Sequence, residues 1–262
     1  MIEEPFVSII IPCREFDKFT RECIKHCLDL NYSNYEIIVL PDNAPNDKDI
    51  KKAKSRRLRI IPTQVVFPAV KRNIGMKKAK GKIYAFIDAD AYPDKDWLKN
   101  AIKYLKRNDV ALVGGPNLTP RSDNFKQKIS GILLSIWFCS GRAAIRYKKA
   151  KEQKTLELPS CNFIVKSKYA TEFESDLLTA EDTKFCFNIW KYGKNVLYAP
   201  DVIVYHHRRP VFIPYLKQIW IYARDVALLL KRKGQFSFSK LYYSVLSLFV
   251  ICLLYTSPSP RD

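Results

Sequence analysis

Glycine is scarce in this 262-residue chain, which has only 8, and no low-complexity tract or internal repeat is present. A disordered or collagenous chain is thereby excluded. The seven cysteines (13, 23, 27, 139, 161, 186 and 252) contain no CxxC pair. An odd, scattered set is no disulfide framework and reads as reduced, mostly buried thiols of a cytosolic compartment. The N-terminus, MIEEPFVSIIIP, lacks the basic region and the length of a signal peptide. Acidic residues are also few, 26 against 45 Lys and Arg, for a net charge of +19. Such an excess points to a polyanionic partner: nucleic acid, anionic lipid or a phosphorylated substrate. What is present is a globular composition, 47% hydrophobic and 13% aromatic. At this length it can bury the core of one large domain with or without an appendage.

The first half alternates strand and helix patterns. Strands are expected at 6–12, 35–40, 58–61, 83–87 and 110–113. Helices are expected at 17–30, 49–57, 68–80 and 94–107, with Pro68 in a first turn, Gly81 as a stop and Asp94 as a cap. That order implies βαβ units and a mostly parallel sheet. Further on, apolar residues at 129, 132, 133, 136 and 137 suggest one helix over 126–147. A strand at 159–165, a helix at 181–192 closed by Gly193, strands at 196–198 and 202–205, and an amphipathic helix over 213–231 complete the pattern. The apolar run Leu241–Tyr255 is 15 residues long, short of the roughly 20 that span a bilayer. The organisation expected is a main domain at 1–235, a truncated or marginal transmembrane segment at 236–255 and a disordered tail at 256–262. The tail is expected to be foreign to the natural chain, which would continue into the membrane. Lys231-Arg232-Lys233 and Lys240 place the main domain on the cytoplasmic face.

Asp88-Ala89-Asp90 follows the apolar strand IYAFI, so both carboxylates fall at the C-terminal edge of a parallel strand, where open α/β sheets bind ligands. Two hard oxygen ligands there suit Mg²⁺ or Mn²⁺ shared with a diphosphate. A lone DxD is more often a solvated loop. Here Asp42 and the Pro12-Cys13-Arg14-Glu15 segment lie past neighbouring strands and face the same crevice. Lys71-Arg72-Asn73 adds cations and an amide near a helix start, a reasonable place for a diphosphate or base. Asn73 is a poor choice for a helix interior, which favours a functional role. Glu181 and Asp182 open a helix, as dipole partners or, for Asp182, as a general base. His206 or His207 ends a strand and suits a metal or phosphate contact, although such pairs are often structural.

The motifs VSIIIPCRE (7–15), YEIIVLPDN (35–43), KRNIG (71–75), YAFIDADAYPDKDWL (84–98), SCNFIVKS (160–167), AEDTKFCFNIWKYG (180–193) and APDVIVYHHRR (199–209) occur in an order that resembles the family 2 glycosyltransferases. The resemblance runs from about residue 6 to 225. It implies the GT-A fold, a Rossmann-like, mostly parallel sheet flanked by helices, here with a C-terminal membrane-associated helical segment. It also implies a nucleotide-diphosphate sugar donor. Carried over by position, Pro12, Glu15, Asp42 and Arg72 line the donor pocket with Asn73 and Glu181 beside them, and Asp88 faces the ribose or sugar. Asp90 holds the divalent metal, His206 completes the metal or diphosphate site with His207 the weaker choice, and Asp182 is the base. Pro41 stands where the family usually has the first acid of an Asp-Asp pair. Glu172-Phe173-Glu174-Ser175-Asp176 replaces the usual Gly-Gly-Phe-Asp stretch. The QxxRW signature of processive synthases is absent, the helix reading Gln218-Ile219-Trp220-Ile221-Tyr222, so one sugar per encounter is expected.

The expected reaction is a metal-dependent (Mn²⁺ or Mg²⁺), inverting single displacement onto a hydroxyl of a lipid-linked or cell-surface glycan. Residues 121–154 carry nine Lys and Arg against two acids around an apolar stretch with Trp137 and Phe138, which suggests docking on an anionic membrane surface. Equally, Ile129–Phe138 could simply pack on the sheet. Three rivals are weaker. A nucleic-acid-binding protein would need a docking element or aromatic platform. A nucleotidyltransferase would need a Gly-rich basic loop after the first strand, where this chain has CREFDKF. A catalytically silent scaffold would show no metal-dependent donor hydrolysis.

Overall fold

A computed structural model describes residues 4–46, 55–175 and 181–215, together with 217, 220, 221 and 224. Most of the basic helix expected at 49–57 and of the amphipathic helix at 213–231, and all of the membrane segment and tail, lie outside these residues.

Strands β1 (Val7–Pro12) and β2 (Tyr35–Leu40) are buried at every position. Unbroken apolar runs of this kind form where both faces of a parallel sheet are covered. With β3 (Leu58–Ile60), β4 (Ile83–Phe86), β6 (Val110–Gly114), β8 (Gln153–Lys154), β9 (Phe163–Lys166) and β10 (Asn195–Tyr198), they make an eight-stranded sheet in the order β3-β2-β1-β4-β9-β6-β10-β8. β1 pairs in parallel with both β2 and β4, whereas β9 runs antiparallel between β4 and β6. A second sheet joins β5 (Ala91–Pro93), β11 (Val204–His206) and β7 (Asn117–Leu118).

Side chains alternate across the main sheet, as strand geometry requires. Ile9, Ile11, Ile37, Val39 and Val113 pack with α1 (Lys18–Leu28) and α3 (Trp97–Leu105) on one face. Ile10, Ile38, Phe86 and Leu112 pack with Ala69 of α2 (Pro68–Lys78) and Phe185 and Ile189 of α6 (Glu181–Lys191) on the other. Pro68 opens α2 and Gly193 follows α6 with φ of +66°, as the sequence suggests, and Asp17 caps α1 by accepting from the Thr20 amide at 2.8 Å. The cap of α3 is Asp96 rather than Asp94, whose carboxylate instead accepts from the Asp96 amide at 3.1 Å.

The helix expected over 126–147 is broken. It forms α4 (Phe125–Ser135), a single turn α5 (Trp137–Ser140) and a 3-10 helix at Gly141–Tyr147, with a bend of 78° after α4. The bend falls at Ile136, whose extended backbone (ψ of 128°) ends α4, and Gly141, with φ of +53°, which favours glycine, separates α5 from the 3-10 helix. Gly115 answers a different need, because a Cβ there would lie 2.2 Å from the Val202 carbonyl oxygen. That close approach brings the two sheets together and sets β11 against the end of β4.

Candidate functional site

Asp88 and Asp90 follow β4, and His206 is the last residue of β11. β11 pairs antiparallel with β5, so that His206 stands opposite Ala91, and the His207 amide donates to the Asp90 carbonyl at 3.0 Å. These constraints bring ligand atoms of Asp88, Asp90 and His206 within 4.8 Å of one another. His206 Nε2 lies 3.1 Å from Asp90 Oδ1. Burial works against a charged imidazole, but Asp90 and Cys161 hold the His206 proton and push its pKa well above the ordinary value. A cation entering here must therefore displace that proton. The two carboxylates supply hard oxygen ligands that suit Mn²⁺ or Mg²⁺, the imidazole adds a borderline nitrogen ligand, and Asp90 remains exposed enough to meet a ligand. The residues fit the metal.

His207 points elsewhere. Its ring nitrogens meet Asp123 and, at 3.1 Å, Glu22, and Asp123 also accepts from the Arg208 amide at 2.9 Å. His207 thus fastens the strand end to α1 and to the loop before α4, while bordering the cavity together with His206, Arg208 and Arg209.

Arg72 is buried with its guanidinium 2.8 Å from Asp88 and 2.9 Å from Glu181. Burial opposes its charge, yet the two carboxylates raise its pKa further. Arg72 Nε and Glu181 Oε2 are buried without a hydrogen-bond partner among the described residues. A buried cation held by two acids is costly to break, because removing one member strands the others.

Asp182 receives the Ser160 amide at 3.3 Å and the Thr183 amide at 2.7 Å. Burial lifts its carboxyl to about 7, with Glu181 and Glu157 adding to the rise and Arg146 opposing it. A carboxylate poised near neutrality is suited to general-base work. Its surroundings are wired: Thr183 donates to Glu157 at 2.6 Å, and Arg146 pairs with Glu157 at 2.5 Å.

One cavity of about 340 Å³ joins these groups, its lining including Arg72, Asp88, Asp90, Glu181, Asp182 and His206. Pro12, Glu15, Asp42 and Asn73 are not in that lining. Pro12, Glu15 and Asp42 belong to the adjoining ends of β1 and β2, where the Asp42 amide donates to the Arg14 carbonyl at 3.1 Å. Lys71 reaches the Asp42 carboxylate and the Cys13 carbonyl there. The Asn73 amide exchanges two 2.8 Å hydrogen bonds with the backbone of Phe173. That clamp supplies a structural reason for an Asn inside a helix.

The cavity also gathers residues that sequence reasoning passed over. Arg208 is buried, donating to the Asn117 carbonyl and to Thr119 at 3.2 Å while stacking on Tyr147. Arg209 is exposed at the rim. The HHRR run signalled both arginines, but only the register of β11 tells which side chains turn inward.

Residues 8–171 match the profile described as Glycosyl transferase family 2. A dolichyl N-acetyl-alpha-D-glucosaminyl phosphate 3-beta-D-2,3-diacetamido-2,3-dideoxy-beta-D-glucuronosyltransferase of Methanococcus voltae is 26% identical, the alignment covering 95% of this chain and 83% of that protein. Glycosyltransferase AglE of Haloferax volcanii is also 26% identical, over 79% of this chain and 68% of its own. Among solved structures, the mannosyltransferase PcManGT of Pyrobaculum calidifontis, in complex with GDP-Man and Mn²⁺, superposes with a TM-score of 0.68 at 16% identity, covering 99% of this chain and 78% of that one. S. aureus TarS 1–349 gives 0.57 at 14% identity, over 96% and 72% of the two chains. With the motifs, the sheet order and the profile in agreement, the chain belongs to the family 2 glycosyltransferases and has the GT-A fold: it is a glycosyl-transferring enzyme.

Proposed function

We propose that the enzyme moves one sugar from a nucleotide-diphosphate donor to a hydroxyl of a lipid-linked or cell-surface glycan, with inversion, at the cytoplasmic face of a membrane. The observation that carries this reading is a metal-type donor set and a near-neutral carboxylate on one cavity. The Methanococcus relative is named for a dolichyl-linked acceptor and the Pyrobaculum enzyme for GDP-Man with Mn²⁺, which supports the donor class, the cofactor and the acceptor class.

Asp88, Asp90 and His206 would hold Mn²⁺ or Mg²⁺, which when bound supplies Lewis-acid neutralisation of a leaving diphosphate. Arg209, exposed at the cavity rim and close enough to Asp90 to stabilise its carboxylate, can meet the same diphosphate with a charge-assisted hydrogen bond. Arg72 holds Asp88 and Glu181 in fixed positions, so little reorganisation accompanies the developing charge. Asp182 accepts the acceptor hydroxyl proton as that oxygen attacks. A single base without a second nucleophilic carboxylate partner in the scheme implies one displacement and inversion at the anomeric carbon.

The test combines thermal-shift screening of nucleotide-sugars with Mn²⁺ and a transfer assay on the donor that binds. A ligand specific for the native state raises its melting temperature. Asp182→Asn is expected to abolish transfer while nucleotide still binds; a variant with near wild-type turnover would overturn the assignment.

A further inference from the structure

Helix α4 has two unlike sides. Ser130 and Leu134 line the catalytic cavity, and Gly131 lies so close to the domain that a Cβ would fall 2.0 Å from the Thr119 hydroxyl oxygen. The other side carries Phe125, 77% exposed, and Ile132, 59% exposed, seven residues apart and so on one helical face. Immediately after come Ile136, Trp137 and Phe138, all exposed. The Val211 amide donates to the Lys126 carbonyl at 3.3 Å, which brings exposed Phe212 and Ile213 beside the start of α4. So many large apolar side chains exposed along one helix face and the segments beside it mark an interaction site rather than ordinary surface.

Charge decides the partner. Arg121, Lys126, Lys128, Arg142 and Arg209 are exposed around these residues. Between 121 and 151 the only acid is Asp123, and it is buried against His207 and Arg208. We infer that this face docks on an anionic phospholipid bilayer. The inference rests on the lipid-linked reading of the acceptor and adds the surface through which that acceptor is met.

The segment lies on a membrane and does not cross it. Eleven helical residues reach roughly 16 Å, about half a hydrocarbon core, and the chain then turns by 78°. Ser130, Gly131, Ser140, Gly141 and Ala144 are buried against the rest of the domain. An amphipathic, basic, aromatic-bearing segment with one side packed on protein is an interfacial element.

The test uses the full chain with phosphatidylcholine vesicles with and without phosphatidylglycerol, part of the lipid carrying brominated acyl chains that quench nearby tryptophan. Wild type is expected to float with the anionic vesicles and to be quenched, with the quenched fraction falling in Trp137→Phe. Lys126→Glu combined with Lys128→Glu is expected to weaken anionic-vesicle binding at least tenfold while nucleotide-diphosphate binding stays unchanged. No binding to anionic vesicles would overturn the proposal. So would binding with quenching identical in wild type and Trp137→Phe, since anchoring then runs through residues 236–255 or the face is covered by a second copy. Quenching at Trp137 without binding of any nucleoside diphosphate would uphold the docking surface and overturn the proposed nucleotide-sugar donor, so the two failures are distinguishable.

Discussion

The two walls of the cavity are built on different physics. The inner wall, at the sheet edge, is an ion-paired lattice in which Arg72 is locked to Asp88 and Glu181 and His206 to Asp90. The outer wall, α4 with the turn after it, is held by small residues on one side and leaves large apolar groups in solvent on the other. Chemistry needs groups that do not move as charge develops. The lipid-borne acceptor proposed above would need a surface that gains by leaving water, which the exposed side of α4 offers.

This contrast is easiest to break at Arg72. Arg72→Met leaves Glu181 buried without its counter-charge and should cost about 3–5 kcal/mol, read as a lower denaturation midpoint in urea together with loss of transfer. An outer-wall change such as Trp137→Ser should move the same midpoint very little. Next in size, Asp182→Asn should lower kcat by about 10²–10⁴-fold, the usual contribution of a general base, without altering nucleotide binding. His206→Ala should weaken Mn²⁺ binding more than tenfold by isothermal titration, and His207→Asn should weaken it less, because His207 acts through backbone placement. The smallest effect sharpens the electrostatic side. The base role proposed for Asp182 requires the ionised carboxylate, so kcat/KM should fall as pH drops below about 7. Glu157 raises the Asp182 pKa, and Glu157→Gln should therefore move that acid limb to lower pH.

How far the sequence anticipates these walls follows from local physics. β1 and β2 are unbroken apolar runs, and the Pro68 and Gly193 signals act within a few residues, so strands, helix ends and the position of Asp88 and Asp90 past β4 are legible. The second sheet is not: its strands are two or three residues long and form through the close approach at Gly115. The antiparallel course of β9 leaves no mark in its own residues. Choosing between His206 and His207 needs the β5–β11 register, which the sequence does not state. Asn73 looked functional because it suits a helix poorly; the two-way bond to Phe173, one hundred residues away, is invisible to local reasoning. The apolar spacing over 126–147 suggests one helix, but periodicity carries no information about the extended backbone of Ile136 that ends α4.

The central claim is that Asp88, Asp90 and His206 act together as one cation site for a nucleoside diphosphate. Titration of nucleoside diphosphates into wild type and Asp90→Asn, each with Mn²⁺ and with chelator, tests it most directly. The account predicts that binding needs the metal and weakens more than tenfold in Asp90→Asn. Equal affinity in all four titrations would contradict it.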